Sequence, residues 1–82
     1  MPNERSDIFD KFKQIIIDQW KVPSEIVLES SNFADDLGAN SLDMIDLRLA
    51  TEAEFVFPIS DNDAAGLRTV GEAIDYLHGR TN

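Results

Sequence analysis

Cysteine is absent from this chain, which removes disulfides, thiolate zinc sites and cysteine nucleophiles together. Long apolar runs are also missing. Nothing approaches the roughly 20 residues of a membrane-spanning helix, and no signal-peptide pattern opens the sequence. A cytoplasmic protein with no membrane span is the resulting expectation. Basic residues are scarce: seven Lys and Arg face sixteen Asp and Glu, for a net charge of −9. Such a surface repels phosphate backbones and argues against nucleic acid as a partner. A chain of 82 residues removes only about 60–65% of its unfolded surface from water on folding. That allows a single domain over residues 1–82, with a core at about 7–79. A small helical module with one thin core fits this size better than an enzyme built around a deep cleft, and a monomer is expected.

The acids are clustered. Between Glu25 and Asp63 stand Glu25, Glu29, Asp35, Asp36, Asp43, Asp46, Glu52, Glu54, Asp61 and Asp63 against one base, Arg48, so this segment holds the whole net charge. A localised negative field steers encounters with basic partners. A solvated face that only aids solubility is the plainer alternative.

Apolar spacing predicts three long helices and a short one. Ile8, Phe9, Phe12, Ile15, Ile16 and Trp20 make one stripe of a helix over about 7–20. Ser6 is its candidate N-cap, Asp7 and Asp10 fall in its first turn, and Pro23 stops it by disfavouring helical geometry at Val22. Residues 23–40 lack a period but hold Ile26, Val27, Leu28, Phe33 and Leu37, too many apolar groups for a disordered linker. They read as an ordered loop with one helical turn at most, and long ordered loops are often functional. A second helix is expected from Ser41 or Leu42 to Phe55, ended by Pro58 with Phe57 extended. Leu42, Ile45, Leu49 and Ala53 form one strip on it and Leu47, Ala50 and Phe55 another. That arc is wider than a core contact needs, so about half of it is expected to stay exposed beside acids. Asp61 to Leu67 suits a short helical turn ended by Gly66. Thr69 and Glu72 form a capping box for a last helix that buries Val70, Ala73, Ile74 and Leu77, keeps Tyr76 at the edge and ends near Gly79. The fold class is all-α: a small irregular four-helix bundle with a long ordered loop between its first two helices.

Ser41 follows a glycine-bearing turn, Asp36-Leu37-Gly38-Ala39-Asn40, and opens the acid-rich helix. A hydroxyl there lies beside unpaired N–H groups and the positive end of the helix dipole, a setting that suits a covalently attached phosphate. On local sequence alone, Ser41 or Asn40 is simply the helix cap.

The stretch resembles the attachment site of acyl carrier proteins, whose usual form is Asp-Leu-Gly-x-Asp-Ser-Leu. The resemblance extends from about Ile8 to Gly79 through Phe33, eight residues before Ser41, Glu54-Phe55, Thr69-Val70 and Ala73-Ile74-Asp75-Tyr76. It implies a carrier that is not itself catalytic. A phosphopantetheinyl transferase would attach 4′-phosphopantetheine from coenzyme A to Ser41. The arm's thiol would hold acyl groups as thioesters for fatty-acid, lipid or related biosynthetic enzymes, which explains thiol chemistry in a chain without cysteine. By the same resemblance, Asp43, Asp46 and Glu52 would dock onto basic patches of acyl-transferring and chain-elongating or modifying enzymes, with Leu42, Ile45 and Leu49 adding apolar contact. Phe33, Leu47, Ala50, Ile59, Leu67 and Tyr76 would line an acyl-chain cavity.

Five departures point to a specialised carrier. Asn40 replaces the usual aspartate, Arg48 and Thr51 stand where apolar residues are usual, Ala53 replaces an acid, and Phe57-Pro58-Ile59-Ser60 reorders a common Ile-Pro pair. If Arg48 or Thr51 faces inward, the cavity is smaller or more polar. An aminoacyl, peptidyl or polyketide carrier with the same arm is the close alternative. A distant one is an acidic adaptor or calcium-binding module without a prosthetic group. Asp61, Asp63, Gly66 and Glu72 partly match a calcium loop, but Ala65 stands where Asp or Asn belongs. No metal site is expected. His78, the sole histidine, reads as an exposed residue at a helix C-terminus.

Overall fold

Helix α1 spans Arg5–Trp20, a 3₁₀ turn Ser24–Ile26, α2 Ser41–Phe55, α3 Asp61–Ala65 and α4 Val70–Thr81. These come from a computed structural model that describes residues 4–56 and 58–81, Thr81 by its backbone only. The expected extended Phe57 lies outside the described residues. Ile8, Phe12 and Ile16, four residues apart, are the buried line of α1. They face α2 and α4, both of which α1 contacts. Among the described residues no strand forms, and no helix is long and apolar enough to cross a membrane.

The start of α1 corrects the expectation from local sequence. Glu4, without a side-chain bond, is the N-cap, and Ser6 lies inside the helix, so Asp7 stays in the first turn while Asp10 falls beyond it. Tertiary bonds outweigh the cap preference here: the Arg5 guanidinium reaches Asp75 Oδ1 at 2.7 Å and Glu29 Oε1 at 2.6 Å. Its hydrogen bond holds the Glu29 carboxyl below the usual value. At the other end Lys21 turns left-handed (φ 55°) and its N–H donates to the Ile17 carbonyl at 2.8 Å.

The long connection is held by backbone pairing to the start of α4. Phe33 N–H donates to the Arg68 carbonyl at 3.0 Å, Val70 N–H to Ser31 at 3.0 Å and Gly71 N–H to Glu29 at 2.8 Å. A Cβ on Gly71 would stand 3.0 Å from the Glu29 carbonyl oxygen, so the close approach depends on that glycine. Buried Ser31 is satisfied twice: its Oγ accepts from Leu28 N–H at 3.0 Å and donates to the Ile26 carbonyl at 2.6 Å. Phe33 meets Phe12 and Trp20 edge to face, each with centroids 6.2 Å apart, a favoured aromatic geometry.

The capping box of α4 is present as expected. Thr69 Oγ1 accepts from Glu72 N–H at 3.2 Å, and Glu72 Oε1 accepts from Thr69 N–H at 3.1 Å. Val70, Ala73, Ile74 and Leu77 are all buried. The helix runs past Gly79 to Thr81, beyond the expected end, where Arg80 bonds Asp63 at 3.0 Å and covers the Tyr76 ring. His78 is half-buried in this last turn rather than exposed. Helix α3 is capped by Ser60, whose side chain accepts from Asp63 N–H, and ends at Gly66.

Helix α2 ends with Val56 in the left-handed region (φ 60°), its N–H donating to the Glu52 carbonyl at 2.8 Å. A β-branched residue is disfavoured there, whereas glycine is the common choice. Val56 is 84% exposed, so its replacement sacrifices little burial. Val56→Gly is expected to stabilise the domain by about 1 kcal/mol, a rise of roughly 4–8 °C in a thermal melt. An unchanged or lower midpoint would show that the turn is not held in this conformation in solution.

Candidate functional site

The turn before α2 is set from the loop outward. Leu37 is buried, Gly38 takes φ 70°, and Ala39 N–H donates to the Phe33 carbonyl at 2.9 Å. Extended Asn40 then caps α2: its Oδ1 accepts from Asp43 N–H at 2.9 Å while Asp43 Oδ2 accepts from Asn40 N–H at 3.0 Å. This reciprocal pair decides between the two candidate caps. Asn40 does the capping, and Ser41 is the exposed first residue of the helix. Its hydroxyl has no part in the capping box. Helix geometry also leaves the Ser41 and Leu42 N–H groups without intrahelical acceptors. With the dipole's positive end they form a fit environment for a phosphodiester on Ser41 Oγ.

Beside Ser41 runs an open groove of about 310 Å³ between α2 and α3, lined by Ser41, Met44, Ile45, Arg48, Asp61, Ala64, Ala65 and Leu67. Behind it lies an inner cavity of about 40 Å³, lined by Phe12, Phe33, Leu47, Arg48, Thr51, Ile59, Ala64, Leu67, Ala73, Tyr76 and Leu77. Phe33, Leu47, Ile59, Leu67 and Tyr76 therefore come together. Ala50 does not join them: Leu47 and Thr51 are the buried line of α2, and Ala50, half-buried, sits off it. Phe12, Ala73 and Leu77 line the same space; their place in the buried stripes of α1 and α4 was the available signal.

Arg48 and Thr51 both face inward. Thr51, buried, satisfies its hydroxyl by donating to the Leu47 carbonyl at 2.7 Å. Arg48 Nη1 donates to the Ile59 carbonyl at 3.0 Å and Nη2 lies 3.1 Å from Asp61 Oδ1. Glu52 stands 3.8 Å from the guanidinium and its Oε2 accepts from Ile59 N–H at 2.6 Å. Arg48 and Glu52 thus grip both backbone polar groups of Ile59.

The proposed docking residues divide. Asp46 is exposed, as are Leu42, Ile45 and Leu49 at 71%, 45% and 54%. Asp43 is half-buried and committed to the cap, and Glu52 is tied inward to Ile59. The calcium-loop residues are also committed elsewhere. Tyr76 Oη donates to Asp63 Oδ2 at 2.8 Å, Arg80 pairs with the same oxygen, and Glu72 serves the α4 cap. Burial, and after it the bond to Asp63, pushes the Tyr76 phenol above its usual value. Among the described residues, no group of three or more His, Cys, Asp or Glu is placed to hold a metal ion.

Fold and site together define a small helical carrier module, with an exposed hydroxyl on a helix start beside an apolar groove. Residues 10–77 match the family described as "Phosphopantetheine attachment site". The chain is 51% identical over 73 residues to the acyl carrier protein of Chlamydia muridarum (strain MoPn / Nigg), covering 89% of this chain and 95% of that protein. It is 43% identical over 74 residues to the acyl carrier protein of Clostridium perfringens (strain SM101 / Type A), covering 90% and 97%. The chain belongs to the phosphopantetheine-attachment family, that of the acyl carrier proteins. It is a carrier of acyl groups that uses 4′-phosphopantetheine as its prosthetic group.

If Asn40 is the cap, Asn40→Ala is expected to cost about 1 kcal/mol, a fall of roughly 4–8 °C in the melting midpoint, while Asn40→Asp stays close to the parent. Equal midpoints for Asn40→Ala and the parent would remove the cap assignment.

Proposed function

We propose that Ser41 is the residue modified, through phosphopantetheinyl transferase and coenzyme A, and that Leu42, Ile45, Asp46 and Leu49 form the face that docks partner enzymes. The observation that carries this reading is the division of labour at the start of α2, where Asn40 caps and Ser41 stands exposed. When bound, the prosthetic group supplies a terminal thiol on which acyl cargo is held as a thioester. The chain's own residues do the rest. Gly38 gives the turn that presents Ser41, and the N–H groups at the start of α2 face the negative charge of the attached phosphate. Leu42, Ile45 and Leu49 offer apolar area to a partner, and Asp46 offers a charge for its basic patch. The partners are acyl-transferring and chain-elongating or modifying enzymes of fatty-acid, lipid or related biosynthesis. The inward Arg48 and Thr51 favour a second reading within the same class, a carrier of short, aminoacyl or polyketide cargo, because they make the interior small and partly polar.

Incubation with coenzyme A, magnesium and a broad-specificity transferase should add one phosphopantetheinyl group to the parent, seen by intact mass, and none to Ser41→Ala. Modification of Ser41→Ala would put the attachment elsewhere.

Asp46→Lys should lower partner turnover several-fold at low salt and less at high salt, with an unchanged melting midpoint, as a rim charge does. Glu52→Lys, by contrast, should lower stability by about 1–3 kcal/mol, because it leaves Ile59 N–H without its acceptor. Equal turnover of Asp46→Lys and parent at low salt would remove Asp46 from the docking face.

A further inference from the structure

The groove beside Ser41 and the inner cavity share a wall, and Arg48, Ala64 and Leu67 line both spaces. Arg48 is the only one of the three that is bonded across that wall to the Ile59 carbonyl and Asp61. We propose that Arg48 is a specificity-determining latch that bars a cargo chain tethered at Ser41 from the core and leaves it in the outer groove. The proposal rests on the Ser41 reading.

Sizes and bonds both support it. A water-sized group needs about 10–15 Å³ of such space, so an inner cavity of about 40 Å³ takes roughly three groups of that size. The outer groove, at about 310 Å³, has several times that room, and Met44, Ile45, Ala65 and Leu67 give it apolar walls. A longer chain passing inward between α2 and α3 would have to displace the guanidinium from Ile59 and Asp61. That would take from the Ile59 carbonyl the bond donated by Arg48 Nη1. Unmade bonds in a half-buried place are costly, whereas lying in the groove breaks none. A chain larger than the roughly three water-sized groups the inner space could take therefore lies along α2 and α3, beside the exposed Ile45.

The test uses the full chain loaded by a transferase with octanoyl-4′-phosphopantetheine from octanoyl coenzyme A, adenosine 3′,5′-bisphosphate leaving, with intact mass to verify loading. With a ¹³C-labelled octanoyl group, the parent should show nuclear Overhauser contacts from the chain end to Met44 and Ala65, and none to Phe33 or Leu77. Its melting midpoint should match that of the form carrying the arm alone. In Arg48→Met the contacts should move to Phe33 and Leu77, and octanoylation should raise the midpoint by at least about 4–8 °C. Contacts to Phe33 and Leu77 in the loaded parent would overturn the latch while leaving the attachment intact. No mass gain on the parent would overturn the Ser41 assignment, and the latch with it. The parent's contacts decide the question even if Arg48→Met folds poorly, and Arg48→Lys, which keeps the charge but not the two-pronged grip, should give contacts intermediate between parent and Arg48→Met.

Discussion

Backbone pairing between residues 29–33 and 68–71 is the constraint on which the site depends. A connection as long as the one between α1 and α2 would, left alone, let the start of α2 wander. Instead Phe33 is fixed twice, by its N–H on the Arg68 carbonyl and by its ring between Phe12 and Trp20. Its own carbonyl then receives Ala39 N–H. From there only Asn40 separates the anchored loop from Ser41. The exposed serine thus owes its placement to contacts made at the far end of the chain, at the start of α4.

The acidic segment divides into working and outward carboxylates. Glu29 holds Arg5, Asp43 serves the α2 cap, Glu52 holds Ile59, Asp36 accepts from Asn32 N–H, and Asp63 gathers Tyr76 and Arg80. These acids still carry charge and contribute to the field that a basic partner meets at a distance. At contact, however, a carboxylate already bonded within the domain is held in one orientation and has fewer acceptor sites left for a partner. Long-range steering is therefore spread over the whole segment, while in the proposed docking face the short-range contact is given to Asp46, which stays outward. A count of acids in the sequence cannot separate the two roles, because both need the same residue type.

What could be read from the sequence was what local chemistry decides. Helix α4 was legible because its apolar period and its Thr69–Glu72 box coincide, and α3 only in outline, through Gly66 at its end; its Ser60 cap emerged from the structure. The start of α1 was not, since Arg5 answers to Asp75, 70 residues away, and no local pattern encodes that. The loop's order was legible from its apolar content, but its partner was not, because pairing by backbone groups leaves no side-chain signature apart from Gly71. Arg48 was ambiguous for a different reason. Its place on α2 lies next to Leu47 on a wide apolar arc, so either exposure or an inward turn was compatible with the pattern. The acceptors that settle it, on Ile59 and Asp61, come from a segment whose path the sequence did not fix.

Helix α3 shows how polar bonds take over where apolar burial is thin. Its five residues include no buried one. It is held by Arg48 on Asp61, by Tyr76 and Arg80 on Asp63, and by the Ser60 cap. Exposed ion pairs add little stability each, and an element with few apolar contacts belongs to the low-stability end of a fold. Among the walls of the groove, α3 is therefore the one that yields first, while α2, anchored through Leu47 and Thr51, stays fixed with Ser41 at its head. One of the bonds that restrain α3, Arg48 on Asp61, also lies where groove and cavity meet. Under the proposed latch, holding this helix in place and deciding how far cargo enters are one physical problem, because Arg48 bonds to Asp61 and lines both spaces.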